Sequence, residues 1–313
     1  MPTLLVQDAG PQTTVQDLGR RGSLRVGIPP SGPVDREAFV LANRLVGNAD
    51  DAAGLECTLM GPRLEFADER WVAVTGAVMA ATLNGLAMPR WAAFEVEAGD
   101  VLRLGPAASG VRAYIAVSGG LDTPPALGSR ATYLRGQMGG WRGRALRKGD
   151  ELPLGPHSGG APVEVRASLI PDYTREPMVR VVLGPQDDRF TKRGIAALFE
   201  APYEMTPHSD RMGARLRGAR IEHTRGHDII SDGVALGGIQ VVGDGQPIVL
   251  LVDRQSTGGY TKIGTVCSFD IGRVGQVKPG QRLSFKRVTV GEAHELLRAY
   301  RRELDDAIAF PTG

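Results

Sequence analysis

The chain has 313 residues, long enough for two cores, and its 42% hydrophobic and 23% charged residues are a globular balance, too apolar for disorder. Its 37 basic and 35 acidic residues leave a net charge of +2, and no block of like charge supports nucleic-acid binding. Two cysteines, Cys57 and Cys267, exclude a disulfide framework. With no basic-then-apolar leader and no apolar run of membrane length, the expectation is a cytoplasmic protein with no membrane partner.

The 42 glycines and 21 prolines are scattered between short apolar runs, which predicts many short strands. The stretch Gly27–Asp35 reads as a helix N-terminus, whose free N–H groups can also hold a carboxylate or phosphate. A helix follows over Pro33–Val46, with Val34, Ala38, Leu41, Ala42 and Leu45 on one stripe. Asp35 and Glu37 complement its dipole, and Gly47 ends it. Cys57 falls in the predicted strand Leu55–Met60, where a small buried side chain outweighs a nucleophile.

Trp71–Thr75 and Val78–Leu83 are predicted strands, followed by Asn84-Gly85, a hairpin turn pair whose members both tolerate positive φ. Val101–Leu104 and Arg112–Val117 come next. Glycine turns feed short strands at Ala98–Gly105, Lys148–Gly155 and Pro279–Phe285, and this recurrence fits related β units. Periodicity is lost between Gly155 and Pro177, a predicted connector. It divides the chain into an N-terminal domain over 1–160 and a C-terminal domain over 161–313.

Beyond it come a strand over Val179–Leu183 and a helix over Arg189–Phe199 with Asp187 and Asp188 as possible caps. His208–Gly213 then sets Ser209, Asp210 and Arg211 side by side, as either a structural pair or an anion clamp. His223 and His227 share a face in a helix or a strand. With no third ligand evident, a polar edge outweighs a metal site, and no metal is expected. Ser231-Asp232-Gly233 and Gly237-Gly238-Ile239-Gln240 lead to the strand Ile248–Val252. Its exit is DRQSTGGYTKIG, residues 253–264, where two adjacent glycines permit a backbone nest and Thr257, Tyr260 and Lys262 are donors. A surface loop explains the glycines but not so many donors beside one core strand. The strand Arg282–Lys286 and a helix over Val290–Ile308 complete the chain. No P-loop, G-x-S-x-G elbow or paired-cysteine zinc pattern occurs.

Taken in order, Thr14–Arg20, Pro30–Asp35, Leu41–Gly47, Gly184–Asp187, Ser209–Gly213, Gly238–Val241, Gly245–Ile248 and Asp253–Tyr260 carry a resemblance. The chain resembles the allophanate hydrolase subunit 2 family, whose members are also known as the C subunit of 5-oxoprolinase, KipI antagonist (KipA-like) or biotin-dependent carboxyltransferase-like proteins. Val34 stands where a smaller or more flexible residue is expected, and Ser256 where threonine is common. The resemblance implies a mainly β fold of two tandem cyclophilin-like β-barrel domains with a few helices. It implies partners too: the KipI-like B subunit of 5-oxoprolinase, the A subunit of the same enzyme, and a small amide substrate.

The leading activity implied is the ATP-dependent cleavage of 5-oxo-L-proline to L-glutamate, a cyclic amide hydrolysis, with ATP bound here or on a partner. The alternatives are a regulatory protein that sequesters a KipI-like kinase inhibitor, and a carboxyltransferase-type subunit served by biotin on a separate carrier. Prolyl isomerisation ranks last, because fold does not fix function. Either transfer reaction develops charge on an amide oxygen and calls for placed donors rather than a strong nucleophile. On that view Arg211 and Lys262 hold anionic oxygen, and Gln240, Gln255, Thr257 and Tyr260 orient the amide. Asp210 and Asp253 are bases or supports for the cations, and Ser31, Asp35, Ser209, Ser231, Gly258 and Gly259 line the substrate.

Overall fold

A computed structural model describes residues 3–157 and 159–310. Its described residues fall into two compact units: one contains the chain up to Arg21, Ser31–Asp172 and the part from Glu303 onward, and the other contains Gly22–Pro30 and Tyr173–Arg302. Both are built mainly from strands.

The first unit holds a nine-stranded sheet, a half-barrel laid out around two long strands, Arg70–Leu83 and Val101–Val117. The sequence reads each of these as two short strands. Each is continuous because a bulged register carries the antiparallel pairing across the interruption, at Gly76 with φ 78° in the first. A side chain at Gly76 would lie 2.5 Å from the Arg112 carbonyl oxygen, so the kink needs glycine. The expected hairpin turn is present at Asn84 and Gly85, both at positive φ. Cys57 lies fully buried in the strand Gly54–Thr58, and burial pushes its thiol up to about 12, as suits a packing residue. The helix begins at Arg36, later than expected, because Asp35 is its cap: the Asp35 carboxylate accepts the Ala38 N–H at 3.2 Å.

The second unit is a closed barrel of seven strands. In spatial order these are Met178–Leu183, Lys262–Val266, Gly238–Val241, Pro247–Leu250, Gly213–Arg217, Tyr203–Met205 and Arg282–Arg287, the last pairing in parallel with the first. Closure leaves no barrel edge to pair with other chains. The helix expected from Arg189 runs over Lys192–Glu200, capped by Thr191 rather than Asp187 or Asp188, which form a preceding single turn. The last helix spans Val290–Asp305, and its Ala293, Leu296, Leu297 and Tyr300 pack on Cys267, Phe269 and Val288. No helix among the described residues is long and apolar enough to cross a membrane.

Two further strands, Asp228–Gly233 and Thr257–Tyr260, leave the barrel as a separate ribbon. The apolar run ending at Val252 therefore turns through Asp253–Ser256, forms one side of the ribbon, and re-enters the barrel at Lys262. That is the structural reason for its polarity: a two-stranded ribbon with exposed residues on both strands has no core of its own to feed.

Candidate functional site

Gln240 and Lys262 face each other in register on neighbouring barrel strands, beside a bulge that takes up Ile263. Both are buried, 2% and 3% exposed. Asp232 on the ribbon pairs with Gly258 on the opposite ribbon strand, and its carboxylate accepts from the Lys262 ammonium at 3.3 Å. A side chain built on Gly258 would lie 2.3 Å from Gln240 Nε2 and 3.2 Å from Val234 Cγ1, so the glycine is what leaves room for the amide. Gln186, from the Gly184–Asp187 motif, closes the group: its side-chain oxygen accepts the Lys262 backbone N–H at 3.0 Å.

The electrostatics follow from these contacts. The Gly233 N–H, then the Lys262 ammonium and the Gln186 amide, hold the Asp232 carboxyl below its ordinary value. Gln240 Nε2 is buried with no hydrogen-bond partner among the described residues. Lys262 has three N–H donors and one described acceptor for its ammonium. Buried donors without acceptors cost about 1–3 kcal/mol each, so the fold retains an expense here that an apolar side chain would avoid.

Tyr260 continues the site along the ribbon. Its ring stacks on His227 at 5.9 Å between centroids, His227 lies 6.2 Å from His223, and His223 lies 4.7 Å from Phe190. The two histidines of the i, i+4 pair thus join a row of rings, and His223 Nε2 also bonds Thr261 Oγ1 at 3.0 Å. Burial, then the charge of His227, lowers the His223 pKa. No group of three His, Cys, Asp or Glu residues able to hold a metal exists among the described residues.

Arg211 is held elsewhere in the same unit. Its guanidinium meets Asp253 at 2.9 Å and 3.4 Å, with both side chains 6% exposed. The Asp253 backbone N–H also donates to the Arg211 carbonyl at 2.9 Å. Asp210, adjacent in sequence, is not the partner. Its carboxylate instead accepts the Met212 and Gly213 N–H groups in a local turn. Ser209 is turned the same way, accepting the Arg215 N–H at 2.9 Å and donating to Met205 sulfur. Both residues shape the turn that presents Arg211, and their described contacts do not reach Gln240 or Tyr260.

Of the remaining candidates, Ser231, Thr257, Gly258, Gly259 and Tyr260 are all on the ribbon, and Gln255 is an exposed residue of the turn before it. Ser31 and Asp35 belong to the first unit. Ser31 sits at φ 58°, and its hydroxyl is buried and unpartnered among the described residues. Asp35 caps the helix while its N–H donates to Tyr114, which in turn donates to Glu56. In sequence, Asp232 falls in a polar segment and Gln186 in a motif of the family, but neither is given a role there. The signal for Asp232 is its place between Ser231 and Gly233, but its partner lies 30 residues away.

A family model for the carboxyltransferase domain, subdomain A and B, matches residues 26–287. The C subunit of 5-oxoprolinase from Escherichia coli is 36% identical over 285 residues, covering 91% of each chain. Urea amidolyase of Saccharomyces cerevisiae is 36% identical over 321 residues, covering 96% of this chain and only 17% of its own length. The crystal structure of the K. lactis urea amidolyase superposes with a TM-score of 0.92 at 34% identity, over 97% of this chain and 20% of that one.

Proposed function

The chain belongs to the family of carboxyltransferase domains with subdomains A and B, and we propose that within it the chain is one component of an ATP-dependent 5-oxoprolinase complex, opening 5-oxo-L-proline to L-glutamate with the A and B subunits of that enzyme as partners. The observation that carries the reading is the pair of buried, under-used donors, Gln240 Nε2 and the Lys262 ammonium, held under the ribbon. An amide carbonyl placed there accepts from Gln240. Charge that develops on that oxygen during transfer is met by Lys262, in a site dry enough for the interaction to count. Gly258 leaves room for the Gln240 amide, and Tyr260 lies two residues further along the same ribbon strand. Arg211 and Asp253 neutralise each other and serve as an internal strut. ATP enters as a reactant of the complex, and no residue of this chain is assigned to it.

The choice of 5-oxoproline is supported by the near end-to-end match with a separate polypeptide of 5-oxoprolinase, against the small fraction of urea amidolyase that the chain matches. The carboxyltransferase reading has support of its own in the close superposition on urea amidolyase. The same two donors would then hold a ureido oxygen, with biotin on a separate carrier.

The test mixes the purified chain with the A and B subunits, ATP and 5-oxoproline, and measures glutamate. Release that needs all components supports the reading. No glutamate, together with carboxyl transfer from a biotinylated carrier to urea, would favour the alternative. Relief of kinase inhibition by a KipI-like protein would identify a regulator instead.

A further inference from the structure

The second unit buries three cations, Arg211, Arg254 and Lys262, and their pairings differ. Arg211 holds Asp253 in a buried pair, and Lys262 holds Asp232. Arg254 is 6% exposed and has no carboxylate partner among the described residues. Its guanidinium reaches only backbone oxygens: Nε donates to the Val234 carbonyl at 3.2 Å, and Nη1 approaches the Leu251 carbonyl at 3.5 Å. A guanidinium has five N–H donors on three nitrogens, and two of these nitrogens meet an acceptor among the described residues.

A buried charge without a counter-ion is expensive, and a protein keeps one where something else supplies the opposite charge. Place matters as much as cost. Val234, whose carbonyl takes Arg254 Nε, is the root of the ribbon, and its N–H donates to the Ser256 carbonyl at 3.1 Å. Its side chain lies 3.2 Å from the position a Gly258 side chain would take, the position that also lies 2.3 Å from Gln240 Nε2. The uncompensated guanidinium and the orphan amide donor therefore flank the same residue.

We propose that Arg254 is the anion anchor of this site: it binds a carboxylate carried by the ligand whose neutral carbonyl oxygen is held by Gln240. The ligand class is thus an amide or lactam bearing a carboxylate, bound at two points. Arg254 suits this better than the other two cations. Displacing Asp253 from Arg211 leaves a buried acid unpaired, and displacing Asp232 from Lys262 gives up a contact already made, whereas Arg254 has no carboxylate to give up among the described residues. The inference rests on the reading that Gln240 meets an amide oxygen, and it adds which side chain selects for charge.

The experiment compares two probes that differ by one carboxylate, 5-oxoproline and 2-pyrrolidinone, binding to the full chain by titration calorimetry or ligand-observed NMR. Arg254→Met should weaken 5-oxoproline at least tenfold and change 2-pyrrolidinone less than twofold. Arg254→Lys, which keeps the charge and serves if the methionine variant does not fold, should keep part of the preference for 5-oxoproline. Equal weakening of both probes, or no change in either, overturns the anchor. Gln240→Met separates this from the underlying reading: loss of both probes upholds that reading whatever Arg254 does. Unchanged binding of both by Gln240→Met, or no binding of either by the parent chain, overturns the reading and the anchor with it.

Discussion

Replacing Gln240 by methionine should stabilise the protein while abolishing its activity. Methionine has nearly the length and flexibility of glutamine, so it fills the 2% exposed position without a new cavity or a branched clash. What it removes is an Nε2 group that is buried with no acceptor among the described residues. Such a group costs about 1–3 kcal/mol when left unmet, and its replacement by an apolar group returns that free energy. Imperfect packing takes back up to about 1 kcal/mol, giving a net gain of about 0.5–2 kcal/mol. For a unit of this size that is a rise of about 2–8 °C in the calorimetric transition of the second unit. The paired assay is glutamate release by the reconstituted complex, which should fall at least a hundredfold, as for loss of one oxyanion donor. A lowered melting temperature would refute the reasoning, because it would mean that the amide is satisfied within the folded chain and is structural.

Three further outcomes follow from the same geometry. Arg211→Ala should destabilise the second unit by about 3–5 kcal/mol in urea unfolding because it strands the buried Asp253, while Arg211→Met with Asp253→Leu should cost far less; equal losses would show that the pair is not the strut. Gly258→Ala should cost no more than about 1–3 kcal/mol, since Gly258 is not at positive φ, yet it should abolish binding of 2-pyrrolidinone by displacing the Gln240 amide; retained affinity would contradict the placement. The folded His223 pKa lies below its ordinary 6.5, so the neutral ring contributes stability that is complete above pH 6.5 and is lost as pH falls through the folded value; thermal melts between pH 5 and 8 should show this decline in the parent chain and less of it in His223→Gln.

Local signals carry much of the fold. Glycine turns, the Asn84-Gly85 pair and the alternation of apolar residues announce strands because each depends on residues close in sequence. The two long strands of the first unit read as four, since a bulge at Gly76 looks in sequence like a turn. The late helix start at Arg36 and the Thr191 cap escape the sequence for one reason: several residues near each terminus can cap, and only the chain's path selects one. The candidate site is legible as a set of segments: strand pairing sets Gln240 opposite Lys262 and Gly258 opposite Asp232, while Tyr260 pairs with Asp228 and stacks on His227. The ion pairs are not legible. Arg211 finds its acid 42 residues away at Asp253 rather than next door at Asp210, because the Asp210 carboxylate is drawn into its own turn. Arg254 is invisible among 32 arginines, the 37 basic residues less five lysines, until the fold shows that it has no acid partner among the described residues.

The most direct measurement is the side-chain amide resonance of Gln240 in an isotope-labelled full chain, followed by heteronuclear NMR as 2-pyrrolidinone is titrated in. The account predicts a saturable shift of that signal, lost in Gly258→Ala, with the Gly258 backbone amide moving at the same ligand concentrations. A Gln240 signal that stays still while residues elsewhere respond would contradict it.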